Sequence, residues 1–317
     1  MPPDIAPDPS RIGVIAQPPF AILPDPAAVF SRRSKRLAFL AGSSRLGPYL
    51  SFLAELTKLQ AEIAGQPLPP VSGETPPPVS GEPLPPLTGE TVARAREAAM
   101  PPIDGATLAR SEDLHSTIAK LLEAAAAIPQ PEAARAALDA VRSSPVAERE
   151  RMALNLIAAT VPVEEAAAHL YVAAGLQVHA ARLAATLDAE RLVPVGTGVC
   201  PCCGGRPASS LVIALPRLEG VRYAACATCA TLWNEVRVKC LACGATKGIG
   251  YRSLGEGEAV IKAEVCDSCH SWVKILYQTK DAGLEAIADD VASLGLDAMM
   301  GATEWRRAGF DPFLIGY

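Results

Sequence analysis

Residues 200–204 read Cys-Pro-Cys-Cys-Gly, and residues 240–244 read Cys-Leu-Ala-Cys-Gly. The chain holds four Cys-x-x-Cys pairs, at Cys200/Cys203, Cys226/Cys229, Cys240/Cys243 and Cys266/Cys269. Adding 40 to the numbers of the first four cysteines gives the second four, and 22 residues separate the two pairs in each half. Cysteines in such register indicate an internal duplication of one 40-residue unit.

Each unit supplies four thiol groups, the ligand number of a tetrahedral zinc or single-iron site. Because a copied unit should carry its own ligands, we predict two metal ions per chain, Fe or Zn, with each site inside one half. A cross-brace that mixes the halves is the alternative. The first predicted site comprises Cys200, Cys203, Cys226 and Cys229, and the second comprises Cys240, Cys243, Cys266 and Cys269. Disulfide pairing competes with metal binding, but the cytosol, where we expect this chain, disfavours it.

The residues around the cysteines predict short strands. Gly204 and Gly244 follow the first pair of each unit, where a tight turn often needs a positive φ. Alternating patterns predict strands at 210–215, 221–225 and 233–239 in the first unit and at 250–254, 259–265 and 272–278 in the second. Two Cys-x-x-Cys turns joined by a hairpin are typical of a zinc ribbon or rubredoxin-like unit.

The first 195 residues contain no cysteine and are rich in Ala, which favours helices. Apolar spacing predicts helices at 27–40, 47–63, 91–99, 110–127, 131–142, 146–159 and 163–187. We therefore predict an α+β protein with an α-helical domain at 1–195, a first four-cysteine unit at 196–238 and a second unit with a C-terminal helix and tail at 239–317.

A proline-rich stretch interrupts the helical part at 66–90. Pro-Pro-Val-Ser-Gly-Glu at 69–74 recurs at 77–82 and, as Pro-Pro-Leu-Thr-Gly-Glu, at 85–90. Low-complexity sequence of this kind predicts an extended or disordered insertion. A ligand for an SH3-type domain is the minor alternative.

Charge and hydropathy exclude two classes of partner. The chain carries a net charge of −5, and residues 196–317 hold 12 Lys and Arg against 13 Asp and Glu. Nucleic-acid binding needs clustered positive charge, so we predict no nucleic-acid partner. The first residues lack the basic and apolar stretches of a signal peptide, and no apolar run is long enough to span a bilayer. We expect a cytoplasmic protein with no membrane partner.

Several residues have a structural and a functional interpretation. Cys202 is predicted to be a non-ligand, with a reactive thiol as the alternative. His270 completes the Cys-x-x-Cys-His pattern of c-type haem attachment, but the repeat already uses those cysteines, so we predict a histidine at the surface or beside the site. The histidines His115, His169 and His179 lie on predicted helices and are expected to be hydrogen-bonded or at the surface, with a ligand role as the alternative. Asp289 and Asp290 on the C-terminal helix are expected on a solvated face or as a helix cap, with a contact to a client as the alternative.

The C-terminal third resembles the formate dehydrogenase accessory protein family, FdhE. The resemblance covers residues 195–317 and rests on the four cysteine pairs, Gly204, Gly244, Lys247, Tyr251, Lys274, the stretch 288–294 with Leu296 and Asp297, and the closing stretch 309–314. The helical half is similar only in character and size. Cys202 and the proline-rich stretch depart from the family pattern but remove no predicted ligand.

This resemblance implies a cytoplasmic, non-enzymatic factor for the assembly of active formate dehydrogenase, which would engage the catalytic subunit of that enzyme. Rubredoxin-like electron transfer or redox sensing on the same client is the alternative, since iron cycles between two oxidation states and zinc does not. The sequence leaves the oligomeric state open.

Overall fold

The computed structural model describes residues 18–66, 87–255 and 258–315. Ten α-helices are found in these ranges: α1 Pro26–Ala41, α2 Gly47–Ala64, α3 Gly89–Glu97, α4 Gly105–Arg110, α5 Glu112–Ala125, α6 Glu132–Ser143, α7 Val146–Ala158, α8 Ala166–Ala184, α9 Ala288–Ala292 and α10 Leu294–Gly301. Eight strands complete them: β1 Ala21–Ile22, β2 Pro207–Val212, β3 Arg222–Cys226, β4 Leu232–Glu235, β5 Ile249–Arg252, β6 Ile261–Cys266, β7 Ser271–Tyr277 and β8 Arg306–Arg307. The predicted α+β class is confirmed, and the predicted domain boundaries stay a prediction.

Helix α8 forms the centre of the helical region. Fifteen of its 19 residues are buried, as expected for a helix that is apolar on every side. Gly175 is required there, because a Cβ at this position would lie 2.7 Å from Cγ1 of Ile118 on α5. Helices α2, α5, α6 and α7 pack around α8, so the bundle core surrounds one helix.

The strands form one sheet in the order β1-β4-β3-β2-β7-β6-β5, with β8 also paired to β7. Strands β2, β3 and β4 of the first unit form an antiparallel meander, and strands β5, β6 and β7 of the second unit form another. A parallel pairing of β2 with β7 joins the two meanders, with Ser210 opposite Ile275. At the far edge β1 pairs antiparallel with β4, with Ala21 opposite Trp233. The duplicated units are thus joined through their backbones.

Asp289 and Asp290 are not on a solvated face, and that prediction is wrong. Their relative exposures are 2% and 0%. Asp289 accepts two hydrogen bonds from Arg36 on α1, at 2.8 Å from the terminal nitrogen and 2.9 Å from Nε. Asp290 lies 3.0 Å from the buried ammonium of Lys274 and 2.5 Å from Arg307. Both carboxylates therefore bind the C-terminal segment to the rest of the fold.

Asp290 belongs to a buried charge cluster that also contains Asp297 and Asp311. Asp297 pairs with both cations of the cluster, Lys274 and Arg307. The two cations lower the pKa of Asp290 although burial opposes its ionisation. Burial and the charge of Asp290 raise the pKa of Asp311 well above its usual range. The raised pKa favours the neutral form of Asp311, which reduces the repulsion between it and Asp290.

The C-terminal segment differs in detail from the prediction. The predicted C-terminal helix is divided in two, since α9 ends at Ala292 and α10 begins at Leu294. Ser293 separates them with non-helical backbone angles (φ −93°, ψ 31°), and its hydroxyl donates back to the carbonyl of Asp289 at 2.6 Å. The apolar tail packs on the bundle, since Phe313 is buried and its carbonyl accepts from the hydroxyl of Tyr49 at 2.7 Å.

The proline-rich stretch lies mostly outside the described residues, which resume at residue 87. Its last residues belong to α3, where the Thr88 hydroxyl caps the helix by accepting from the N–H of Thr91. Helix α3 thus begins two residues earlier than predicted. Within the described residues, none of the helices has the length and apolar character needed to cross a membrane.

Candidate metal centres

The first four-cysteine cluster lies between two turns of the first unit. Its sulfur atoms face each other in pairs, with Sγ of Cys200 3.6 Å from that of Cys229 and Sγ of Cys203 3.5 Å from that of Cys226. The turn with Cys200 and Cys203 precedes β2, and the turn with Cys226 and Cys229 joins the end of β3 to β4. All four sulfurs lie within 4.8 Å of one another.

The second cluster repeats this arrangement. Sγ of Cys240 lies 3.7 Å from that of Cys269, and Sγ of Cys243 lies 3.8 Å from that of Cys266. The four again lie within 4.8 Å. Each cluster draws its members from one unit, as the duplication predicts, and the described residues show no cluster that mixes the halves.

Four turns with one backbone conformation place the thiols. Gly204 and Gly244 have φ values of +73° and +80°, and the N–H of each donates to the carbonyl of the first cysteine of its pair, at 2.9 and 3.0 Å. Ala230 and His270 occupy the same position in the other two turns, with φ values of +60° and +52°. The left-handed residue is thus shared by all four turns, although the sequence shows glycine in only two.

The sulfur geometry fits a tetrahedral metal ion. A zinc–sulfur bond of about 2.3 Å gives a tetrahedral edge of about 3.8 Å, close to the paired distances of both clusters. A disulfide needs about 2.05 Å between sulfurs, and all nine cysteines are free thiols. Each cluster could therefore hold one metal ion, and four sulfur donors suit zinc or iron.

Hydrogen bonds prepare some of these thiols for metal binding, which requires the thiolate. The N–H groups of Thr228 and Cys229 both donate to Sγ of Cys226 at 3.4 Å. Burial opposes the ionisation of Cys266, but N–H donors of Cys269 and Ser268 lower its pKa to about 7. The turn therefore supplies donors as well as shape.

The helical region covers the first cluster. The N–H of Ile103 donates to the carbonyl of Cys202 at 3.0 Å, and Nε2 of Gln177 on α8 donates to the carbonyl of Ala227 at 2.8 Å. A Cβ on Gly204 would lie 3.3 Å from Pro101. Three separate points of the helical region thus contact the turns of the first cluster, and its cysteines belong to the main hydrophobic core.

Cys202 and His270, the two residues near the clusters that were predicted not to be ligands, differ in exposure. Cys202 is fully buried, so the alternative of a reactive thiol lacks the access that reactivity needs. His270 has a side chain that is 57% exposed and lies 3.4 Å from Glu304, which agrees with a surface histidine. His115, His169 and His179 are buried in helices and belong to neither cluster.

An ion pair between the two units has no signal in the sequence. Arg222 on β3 donates to Glu264 on β6 at 2.7 Å, and both side chains are buried. Arg222 also donates to the carbonyl of Lys239, just before the second cluster, at 2.9 Å. Because neither residue is repeated after 40 positions, the duplication does not reveal this contact.

Fold and clusters define a class: a helical bundle joined to two duplicated four-cysteine units in one sheet. Comparison with known proteins agrees with it. The FdhE N-terminal, central and C-terminal domain descriptions match residues 18–197, 199–237 and 238–314. The chain therefore belongs to the FdhE family.

Relatives match along most of the chain. It is 51% identical over 315 residues to a protein named FdhE homolog from Rhizobium meliloti (strain 1021), covering 99% of this chain and 98% of that one. An FdhE homolog of Proteus mirabilis (strain HI4320) is 31% identical, covering 97% and 95%. The crystal structure of the FdhE protein from Pseudomonas aeruginosa superposes with a TM-score of 0.80 at 31% identity, covering 94% and 99%.

Proposed function

We propose that this chain is a cytoplasmic, non-enzymatic accessory protein for the assembly of formate dehydrogenase, and that it binds the catalytic subunit of that enzyme. Membership of the FdhE family along the whole chain is the single observation that carries this proposal. The family name refers to formate dehydrogenase accessory proteins, and assembly factors of this kind act by binding an immature client.

The eight paired cysteines are proposed as the ligands of two metal ions, zinc or iron. In this role Cys200, Cys203, Cys226 and Cys229 hold the first ion, and Cys240, Cys243, Cys266 and Cys269 hold the second. Four-thiolate sites stabilise small units that lack a core of their own. The second unit is such a case, because the hydrophobic cluster around Trp272 is small and contains only five buried residues among those described.

The test is co-purification under anaerobic conditions. Tagged protein should retain the formate dehydrogenase catalytic subunit from cells that express that enzyme, and cells without the accessory protein should contain inactive enzyme. The proposal would be overturned if the tagged protein retained no catalytic subunit and if its expression in the deficient cells restored no formate dehydrogenase activity. A chain whose eight paired cysteines are replaced by serine is the control, since it should lose its metal and the client.

Electron transfer is the second candidate function. It is favoured by the second cluster, where Cys243 is exposed and Cys269 is partly exposed, because electron transfer needs a metal close to the surface. Iron bound at the second cluster would give the visible spectrum of a ferric thiolate site, which dithionite would bleach. Colourless protein that binds only zinc when made without oxygen excludes this function.

A further inference from the structure

The two clusters share one sequence plan but differ in exposure. In the first cluster the relative exposures are 0% for Cys200, 8% for Cys203, 2% for Cys226 and 0% for Cys229. In the second, Cys240 and Cys266 are buried at 5% and 1%, Cys269 is partly exposed, and Cys243 is exposed. The duplication supplies an internal control, because matched cysteines differ only in their surroundings.

The cover explains the difference. Residues 201 and 202, between the cysteines of the first turn, are both buried under the helical region, whereas Ala242 at the second of these positions in the second unit is exposed. The other turn shows the same contrast, since Ala227 is buried and its counterpart Asp267 is exposed. The helical region thus shields one copy and leaves the other open.

The second cluster is covered beside Leu241 and open at both of its turns, where Ala242, Asp267 and Ser268 are exposed. Leu241, beside Cys240, is buried in the main core. The backbone at Gly198 packs directly against Leu241, because a Cβ at Gly198 would lie 2.0 Å from the carbonyl oxygen of Leu241. Residues 246–248, just after the first turn, are exposed, and Cys243 is the most exposed of the four cysteines. An incoming ligand therefore meets Cys243 first.

We propose that the two clusters have different roles: the first is a permanent structural centre, and the second is an exchange centre through which zinc or ferrous ion enters and leaves at Cys243. This inference rests on the proposed ligand assignment. In the exchange step a donor atom of an incoming chelator or thiol bonds to the ion as the bond to Sγ of Cys243 breaks. The released thiolate takes a proton from water, the ion stays divalent, and no electrons are transferred.

The order of release follows from the exposures. Cys269 is the next thiolate to be displaced, and Cys240 and Cys266 follow from the buried side. The first cluster offers no such starting point, so its ion can leave only after the helical region opens away from it. Release from the first cluster is therefore limited by unfolding, and release from the second is limited by ligand exchange.

The test uses the full chain loaded with two zinc ions and mixed with excess 4-(2-pyridylazo)resorcinol, whose absorbance reports released zinc. One ion should leave at least about tenfold faster than the other. Iodoacetamide added after the fast phase should modify Cys243 and Cys269, as read by peptide mass spectrometry, while Cys200 and Cys229 stay unmodified. Release of both ions with one rate constant, or modification of the first cluster in the fast phase, would overturn the proposal.

A pair of matched variants locates the exchange. Cys243→Ser should abolish the fast phase and leave a slow one-ion release unchanged, whereas its counterpart Cys203→Ser should leave the fast phase in place if the chain stays folded. If either variant fails to fold, the rates of zinc release and the modified cysteines of the unmutated protein test the proposal without it. Unmutated protein that binds fewer than two zinc ions would contradict the ligand assignment itself, while unmutated protein that releases both ions together would contradict only the exchange role.

Discussion

Replacement of Lys274 by methionine should strongly destabilise the sheet region. The Lys274 ammonium has no exposed surface, lies 3.0 Å from Oδ1 of Asp290 and donates to the carbonyl of Asp290 at 2.6 Å. Methionine keeps the length of the side chain but leaves Asp290 and Asp297 with Arg307 as their one remaining cation in the cluster. Removing one partner of a buried ion pair costs about 3–5 kcal/mol, so the free energy of unfolding should fall by that amount.

The assay is urea unfolding of the metal-loaded protein followed by tryptophan fluorescence. All three tryptophans lie between residues 233 and 305, so this signal reports on the part of the chain that contains the substitution. Circular dichroism at 222 nm follows the helices of the bundle in the same samples.

A matched control tests whether burial is the cause. Lys280 pairs with Glu258 at 3.0 Å, but the two side chains are 32% and 89% exposed, so Lys280→Met should cost at most about 1 kcal/mol. The double variant Lys274→Met with Asp297→Asn restores the charge balance and should recover part of the loss. Equal effects of the two single lysine substitutions would refute the reasoning.

Three further predictions concern the cluster of charges, the cover and the ligands. Asp311→Asn should be more stable than the parent at pH 8, and the difference in stability should be smaller at pH 5. The reason is that the raised pKa of Asp311 makes the parent lose stability as the pH rises above about 3.9, the pKa of an aspartate in the unfolded chain. Urea midpoints of both proteins at the two pH values measure this difference. Gln177→Leu leaves the carbonyl of Ala227 buried and unpaired, so unfolding followed by circular dichroism should show a loss of about 1–3 kcal/mol. Joint replacement of Cys240 and Cys243 by serine should reduce the metal content from two ions to one by elemental analysis.

The controls follow from the same contacts. Cys202→Ser changes a buried cysteine beside the first cluster and should keep two ions per chain; a loss of metal would make Cys202 a ligand. A metal content of two after the Cys240 and Cys243 replacement would show that the ligand assignment is wrong. An Asp311→Asn variant that follows the pH dependence of the parent would remove Asp311 from the explanation.

The cysteine units were predictable because their determinants are local. The repeat places the thiols and turns, and alternation places the strands to within a few residues: β6 at Ile261–Cys266 was expected at 259–265. The largest error was at β4, which ends at Glu235 rather than 239. There Lys239 turns back to pair with Glu235 at 2.9 Å, and an alternating pattern does not show where such a turn begins.

The remaining features depend on partners distant in sequence. Nothing local to β2 or β7 indicates that they pair in parallel, and adjacent acidic residues such as Asp289 and Asp290 resemble a solvated face until Arg36, Lys274 and Arg307 are placed beside them. The difference between the clusters has the same origin, since Cys203 and Cys243 occupy identical places in the repeat. Which copy the bundle covers is decided by tertiary packing alone.

The pairing of β1 with β4 has a consequence for synthesis on the ribosome. Ala21 is translated more than two hundred residues before its partner Trp233. Chains fold from the N-terminus as they are made, and contacts distant in sequence form late. The nascent bundle must therefore wait with β1 unpaired until the first cysteine unit has been translated, which is also when its thiols first become available to a metal ion.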